Sequence, residues 1–345
     1  MTIRRALITG VSGQDGALLA KRLLDCGVDV VGTHRPGTAP DGAAFWRLRE
    51  LGIARHPALE VRAFDALDAN ACATVVADAR ADGIFHFAGQ SSVAASFVDP
   101  IGSIEANGVG TARLLEAVRA HARDAHVVLA SSAEIFGAPA IAPQDESTPL
   151  AATSPYGLSK LLAHEAVAAW RASFGVRASS AILFNHESEF RDPSFVTRKL
   201  SLGVARIALG REESIALGNL DARRDFGYAP DHVAAMAAMA ARDDAADFVL
   251  ATGVACSIRE FAAAAFAAAG IALDWRGEGL DETGVDQDGR IRVRVDRAFF
   301  RPNDAPLLVG DASRARRALG FSPSLDVAGI ARRMVEADLA RERSA

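Results

Sequence analysis

Short apolar runs alternate with segments of helical period through the first half of the chain, the pattern of a parallel sheet wrapped by helices. Ala6-Leu-Ile-Thr reads as a buried strand, Leu19 and Leu23 mark a helix after Gly16 by their i, i+4 spacing, and Val28-Asp-Val-Val-Gly is the next strand. Together they predict one mononucleotide-binding unit. Leu59-Glu-Val-Arg-Ala-Phe, Gly83-Ile-Phe-His-Phe-Ala and His126-Val-Val-Leu-Ala-Ser predict three more strands, with helices near 71–80 and 111–121 between them. Arg177-Ala-Ser-Ser-Ala-Ile-Leu-Phe adds another.

Beyond Asn185 the pattern changes to polar loops and Arg-rich segments, which predicts a second lobe. The expected division is a Rossmann-like α/β lobe over 1–184, rejoined by segments near 225–255, and a smaller mixed α/β substrate lobe over 185–224 and about 256–330. A C-terminal helix and tail follow at 331–345. The Gly- and charge-rich stretch 276–294 predicts a surface loop, and Pro323 to Arg343 a mostly exposed helix.

Composition narrows the function classes. With 345 residues and 50% hydrophobic content, the chain is long for one domain and short for three. A net charge of −5 without a long Lys/Arg block removes the electrostatic basis for sequence-independent nucleic-acid binding. Cys26, Cys72 and Cys256 are odd in number and widely spaced, which predicts buried reduced thiols rather than disulfides or a metal site. The eight histidines show no metal-ligand spacing, and His86, ending an apolar strand, reads as structural. No apolar signal core follows Met1, and the longest apolar run, 261–273, is too short to span a bilayer, so the expectation is cytoplasmic with no membrane partner.

Gly10-Val-Ser-Gly13-Gln14-Asp15-Gly16 lies between a predicted strand and a predicted helix, the context a dinucleotide fingerprint requires. Gly10 allows the tight turn, Gly13 lets backbone approach a pyrophosphate, and Gly16 lets helix and strand pack closely. At the end of the second strand, Gly32-Thr-His34-Arg35 has a fixed cation and no carboxylate, which favours NADP over NAD. Asp65, beside Ala66, is placed to hydrogen-bond adenine, and Phe87-Ala88-Gly89-Gln90-Ser91 is small enough to pass over phosphates and ribose.

Tyr156-Gly-Leu-Ser-Lys160 puts phenol and ammonium on one helix face, where the ammonium can lower the phenol's pKa. With Ser132 upstream, these make an alcohol-dehydrogenase set. Glu134 follows Ser132 by two residues in Ala-Ser-Ser-Ala-Glu-Ile-Phe-Gly, and on a strand end that spacing turns both side chains to one face. It is either a carboxylate capping a turn or an acid/base whose pKa partial burial raises. In the second lobe Arg198, Lys199, Arg223, Arg224 and Arg301 suggest a substrate bearing a pyrophosphate.

These residues sit within longer stretches: Gln90-Ser-Ser-Val-Ala-Ala-Ser-Phe, Ser154-Pro-Tyr-Gly-Leu-Ser-Lys, Leu183-Phe-Asn-His-Glu-Ser188, Phe195-Val-Thr-Arg-Lys199, Gly218-Asn-Leu-Asp, Arg224-Asp-Phe-Gly, Ala251-Thr-Gly-Val and Phe300-Arg-Pro. Nearly end to end, the chain resembles the extended short-chain dehydrogenase/reductases, and within them the GDP-mannose 4,6-dehydratases; Gln-Asp-Gly and Phe-Asn-His-Glu-Ser are specific to that group. The resemblance implies that Ser132, Tyr156 and Lys160 are the dehydrogenase triad and Glu134 the dehydration acid/base. It places His186 and Arg191 near the NADP, and Asn185, Lys199, Arg224 and Arg301 around the GDP, with Gln90, Ser91 and Ser132 as further substrate contacts. The implied reaction is redox-neutral: oxidation at C4, loss of water across C5 and C6, and return of hydride to C6. A homodimer built from two helices of the first lobe is expected, with a tetramer as the larger alternative.

Three departures from the family pattern stand out. Ser132-Ala-Glu134 replaces Thr-Ser-Glu and keeps both functional groups. His34-Arg-Pro-Gly replaces the Arg-Arg-Ser-Ser loop to which the resemblance ascribes NADP binding and tetramer formation. Glu189-Phe190-Arg191 replaces Pro-Arg-Arg, which opens a related GDP-sugar such as a GDP-manno-heptose as substrate. The alternatives are a GDP-4-keto-6-deoxy-sugar reductase or a sugar-nucleotide epimerase on the same scaffold, and, in another class, a non-catalytic nucleotide-sugar-binding scaffold.

Overall fold

The structure, a computed structural model, describes residues 2–39, 42–139, 141–299 and 307–344. In chain order the elements begin β1 (Arg5–Thr9), α1 (Gln14–Asp25), β2 (Asp29–His34), α2 (Trp46–Glu50), β3 (Leu59–Ala63), α3 (Ala69–Ala79) and β4 (Gly83–His86). Then come α4 (Val93–Val98), α5 (Pro100–Ile104), α6 (Gly110–His121), β5 (His126–Ala130), α7 (Pro155–Phe174) and β6 (Ala178–Leu183). The second half runs β7 (Asn185–Glu187), α8 (Val196–Ala208), β8 (Ile215–Leu217), β9 (Arg223–Tyr228), α9 (Ala229–Ala240), β10 (Phe248–Leu250), β11 (Ala255–Ser257) and α10 (Ile258–Ala268). It closes with β12 (Asp274–Arg276), β13 (Thr283–Val285), β14 (Ile291–Val295), β15 (Leu307–Leu308), α11 (Ser313–Leu319) and α12 (Val327–Ser344).

The chain divides into two compact units. The first comprises 1–184, 229–250 and 310–322. Its sheet has the order β10-β6-β5-β4-β1-β2-β3, with every pair parallel. This is the doubly wound Rossmann order, and the strand sequence reverses direction between β1 and β4, where such sheets bind ligands beyond the carboxyl ends of their strands. The central strands β4 and β5 are buried at every position, whereas the edge strand β3 is only partly covered. Leu7, Ile84, Val127, Leu114, Val118 and Val167 bring strands and helices into one core.

The second unit comprises 185–228, 251–309 and 323–345. β9 pairs with β11, β15 and β7, and a separate sheet has the order β12-β13-β14-β8. Its core sets Phe226 against Phe261, ring centroids 5.4 Å apart, beside Leu200, Val204, Ile330 and Met334.

These boundaries correct the sequence-based division at three points. The return to the first unit begins at Ala229 rather than near 225, because 223–228 form β9 and pair inside the second unit. A second return, 310–322, carries α11. The C-terminal helix is not an exposed tail: α12 buries Ile330, Ala331, Met334, Val335 and Asp338 in the second unit's core. Stretch 276–294 is also no loop, since β13 and β14 pair antiparallel across it; the short strands and a register shift at Gly284 and Val285 hide the period-2 pattern. Cys26 is exposed rather than buried, as it caps the end of α1.

Candidate active site

The candidate residues of the first unit lie on the loops that follow its strands and on α7. After β1, Gly10 has φ +78°, and a Cβ there would stand 3.0 Å from the Ala88 nitrogen, so the glycine-rich loop abuts the Phe87–Gly89 loop after β4. At Gly16 a Cβ would come within 2.4 Å of the Gly10 carbonyl oxygen, so α1 packs against the turn only because this residue is glycine. Gly13, the N-cap of α1, puts no side-chain bond on the first-turn N–H groups. A helix start of this kind suits a phosphate, and the glycine cradle fits a dinucleotide.

Gln14 is buried and donates to Asp15 at 3.0 Å. Arg35 is exposed beyond β2, while His34 is buried edge-on to Phe45. Arg47 on α2, which the sequence reading passed over, donates to the Ser12 carbonyl at 3.0 Å and so braces the glycine-rich loop. After β3, Asp65 is exposed and accepts from the Leu67 nitrogen at 2.9 Å, with Ala66 partly buried beside it. Phe87 and Ala88 are partly buried, and Gly89 and Ser91 exposed.

Ser132 and Glu134 follow β5, but on a one-turn 3-10 helix over Ala133–Phe136 rather than on a strand end. The alternation argument for their shared face therefore fails; the local turn joins them instead, with the Ser132 hydroxyl accepting from the Glu134 nitrogen at 3.2 Å. Both are partly buried. α7 comes close to this turn, for a Cβ on Gly157 would lie 2.7 Å from the Glu134 carbonyl oxygen. Pro155 occupies the first turn of α7, Ser154 accepts from the Gly157 nitrogen, and Ser96 accepts from the Tyr156 nitrogen at 3.0 Å.

Tyr156 is buried, and the Lys160 ammonium lies 5.9 Å from its ring centroid. Lys160 donates to the Ala130 carbonyl at 2.9 Å, which fixes its head at the end of β5. Burial lowers its pKa to about 8, against an opposing attraction from Asp15. His86 is a neutral core residue: burial, then the nearby Lys160, push its pKa down to about 3, and its Nδ1 lies 2.7 Å from the Thr9 hydroxyl.

Asn107 is a second residue the sequence reading passed over. It sits in a π-helical turn, Glu105–Val109, between α5 and α6. Its Oδ1 accepts from the Gln90 nitrogen, and its Nδ2 donates to the Gln90 carbonyl and to Ser159, all at 2.8–3.0 Å. This fastens the Gln90 loop to the helix that carries Tyr156 and Lys160. A Cβ on Gly89 would stand 2.2 Å from Asn107 Oδ1, so glycine is required there. Gly108 and Gly110 inside a helical pattern were the available signal, since π turns gather at functional sites.

In the second unit, Asn185 and His186 lie on β7, His186 buried. Arg191 pairs with Glu187 at 3.3 Å and lies over the Phe195 ring at 3.6 Å. Lys199 on α8 sits over the Phe299 ring at 3.4 Å, and burial lowers its pKa. Arg224 on β9 is buried and donates to the Arg223 carbonyl. Arg301 lies outside the described residues. Arg198, grouped by sequence with the substrate cations, is instead a core group: it pairs with Asp338 at 2.6 Å and donates to the Glu189 and Arg191 carbonyls.

The family model described as GDP-mannose 4,6 dehydratase matches residues 7–334. A GDP-mannose 4,6-dehydratase of Sinorhizobium fredii (strain HH103) is 41% identical over 347 residues, 98% of each chain. Among solved structures, a UDP-glucose-4-epimerase from Stenotrophomonas maltophila with bound NAD superposes at a TM-score of 0.81, with 22% identity over 99% of this chain and 100% of the other. RMD from Pseudomonas aeruginosa, complexed with NADPH, gives 0.75 with 22% identity over 98% and 99%; both share the fold. With its glycine-rich loop, its Tyr156–Lys160 helix and the Ser132–Glu134 turn in place, the chain belongs to the GDP-mannose 4,6-dehydratase family.

Proposed function

We propose that this protein is a cytoplasmic, NADP-dependent GDP-mannose 4,6-dehydratase, a lyase that forms the 4-keto-6-deoxy sugar nucleotide. The observation that carries the reading is Glu134 on the turn that also holds Ser132, with the Tyr156 helix packed against that turn through Gly157. A dehydrogenase needs the hydroxyl, the phenol and the ammonium; a carboxylate beside them supplies the acid/base for water loss. That carboxylate separates the dehydratase from the reductase and epimerase alternatives.

A bound nicotinamide dinucleotide supplies a hydride acceptor for C4 and a donor for C6. Tyr156 takes the proton of the C4 hydroxyl, and Lys160 favours the phenolate by its charge. Ser132 holds the reacting oxygen by hydrogen bond. Once C4 is a ketone the C5 proton is acidic; Glu134 removes it and delivers a proton to the departing C6 hydroxyl. The glycine-rich loop, Asp65, Ala66, the 87–91 loop, His186 and Arg191 are assigned to the dinucleotide, with Arg35 as the cation for the 2′-phosphate. Asn185, Lys199, Arg224 and Arg301 are assigned to the GDP, and Gln90 and Ser91 to the sugar.

The substitution that raised a heptose substrate is absorbed by packing. Glu189 is buried against Arg333 at 3.0 Å and the Tyr228 hydroxyl, and Phe190 is buried beneath Arg341. This supports GDP-mannose over GDP-manno-heptose. A homodimer rests on the apolar side chains left exposed on the first unit's helices, Phe97, Val98, Ile101, Leu158 and Leu162. The deciding experiment incubates the protein and NADP with GDP-mannose or a GDP-heptose and follows mass. Loss of one water from GDP-mannose without net cofactor consumption is the expected result; net oxidation of NADPH would identify a reductase instead.

A further inference from the structure

Tyr156 is the second residue of α7, in the first turn, where backbone N–H groups have no acceptor within the helix. Pro155 brings no N–H to that turn, and hydroxyls hold the two that follow: the Tyr156 nitrogen donates to Ser96 Oγ at 3.0 Å and the Gly157 nitrogen to Ser154 Oγ at 3.0 Å. Ser96 is fully buried on α4. Its own proton goes to the Val93 carbonyl at 2.7 Å, so its oxygen is the acceptor for Tyr156.

The carbonyl of the same residue is held as well. It accepts from Ser159 Oγ at 2.7 Å, and Ser159 Oγ accepts in turn from Asn107 Nδ2 at 2.8 Å; Ser159 too is fully buried. Both serines lead back to one loop. Asn107 is bonded to the nitrogen and the carbonyl of Gln90, each at 3.0 Å, while the Ser92 carbonyl accepts from Gln90 Nε2 at 2.5 Å and from the Ser96 nitrogen at 3.2 Å. One branch therefore runs from Gln90 through Ser92 and Ser96 to the Tyr156 nitrogen, and the other through Asn107 and Ser159 to its carbonyl.

We propose that Ser96 and Ser159 are positioning residues for the oxidation at C4: they grip the Tyr156 peptide from both sides and so set its phenol against the 87–91 loop. A side chain swings from its Cα, and a peptide held at nitrogen and carbonyl fixes where the ring starts. Proton removal at C4 depends steeply on that placement, since a displacement of about 1 Å can cost about 100-fold in rate. Lys160 is fixed separately, by the Ala130 carbonyl, so loss of either serine loosens the phenol without releasing the ammonium. Neither serine carries an assigned substrate contact.

This assignment rests on the dehydratase reading, and the test separates the two. Turnover of GDP-mannose and of its C4-deuterated form is measured on the full-length protein with NADP, for the wild type, Ser96→Ala, Ser159→Ala, Ser96→Cys and Ser159→Cys. Each alanine variant should lower kcat by about 10- to 100-fold at unchanged KM, with a C4 isotope effect at or above the wild-type value. The cysteine variants nearly keep the volume with a weaker donor and acceptor, and should fall between. Undiminished NADP binding shows that a variant is folded; where an alanine variant fails to bind it, the cysteine variant at that position decides. Wild-type kcat in the folded variants, whatever they lose in urea stability, would overturn the assignment and leave the dehydratase reading standing. A lowered kcat with an isotope effect below that of the wild type would place the loss in another step and overturn it equally. A wild type that takes no water from GDP-mannose would remove the dehydratase reading itself, and the assignment with it.

Discussion

The two units differ in how they hold the residues singled out for chemistry. In the first, the candidate site residues stand on the loops after β1 to β5 and on α7, held by backbone hydrogen bonds and close glycine contacts, and Lys160 donates to the Ala130 carbonyl. In the second, cations are mostly matched by carboxylates: Arg198 by Asp338, Arg191 by Glu187, Arg206 by Glu212 and Glu342, Arg333 by Glu189. A cation in the sequence of the second unit is therefore weak evidence for an anionic substrate until its internal partner is known. In the first unit a charged residue on a loop beyond the carboxyl end of a strand is stronger evidence, because doubly wound sheets bind their ligands there.

The largest effect that would break this contrast comes from Glu134. Glu134→Gln should lower the rate of water loss from GDP-mannose by about 10²- to 10⁴-fold, while dinucleotide affinity, measured by fluorescence titration, stays at the wild-type level. Full turnover by this variant would reduce Glu134 to a cap of its own turn and would leave the first unit without its acid/base.

Next comes the ion pair buried in the second unit. Arg198 and Asp338 are both buried, and Asp338 also accepts from Ser201 at 2.7 Å and Arg341 at 2.9 Å. Asp338→Ala strands the Arg198 charge and should cost about 3–5 kcal/mol. Urea unfolding can locate the loss, since Trp275 reports on the second unit and Trp170 on the first. In single-tryptophan variants the Trp275 transition should move to lower urea by more than the Trp170 transition. Equal shifts would merge the two units into one cooperative body.

That pair also marks the limit of what the sequence makes legible. The parallel sheet, the glycine turn and the Tyr156–Lys160 helix are readable because each is local: period, spacing and turn chemistry lie within one element and its neighbours. Arg198 and Asp338 stand far apart in the chain, and nothing near either residue announces the other. The Asn107 clamp depends on a π turn and on the missing side chain of Gly89, neither of which has a hydrophobic period. The strand-end geometry expected for Ser132 and Glu134 failed for a local reason: β5 stops at Ala130, and Ser132 begins a new turn by accepting from the Glu134 nitrogen.

The smallest of these effects is a slope in pH, and it belongs to the first unit. His86 and His126 are both buried in its sheet; burial, helped by Lys160 for His86 and by Arg177 for His126, lowers their pKa values to about 3 and about 4. Ser179 accepts from the Ala246 nitrogen, and the same hydroxyl lies 2.9 Å from His126 Nε2. In the unfolded chain each imidazole titrates near 6.5, so below that pH the unfolded state binds more protons than the folded one and stability falls as pH falls. Each histidine contributes about 1.4 kcal/mol per pH unit, so the two together should remove about 3 kcal/mol by pH 5.5 relative to pH 7.5. Replacing His126 by Phe should halve that slope in urea titrations run at several pH values. A wild type equally stable at pH 7.5 and 5.5 would mean that water reaches these rings and that the first unit is not as dry as its burial implies.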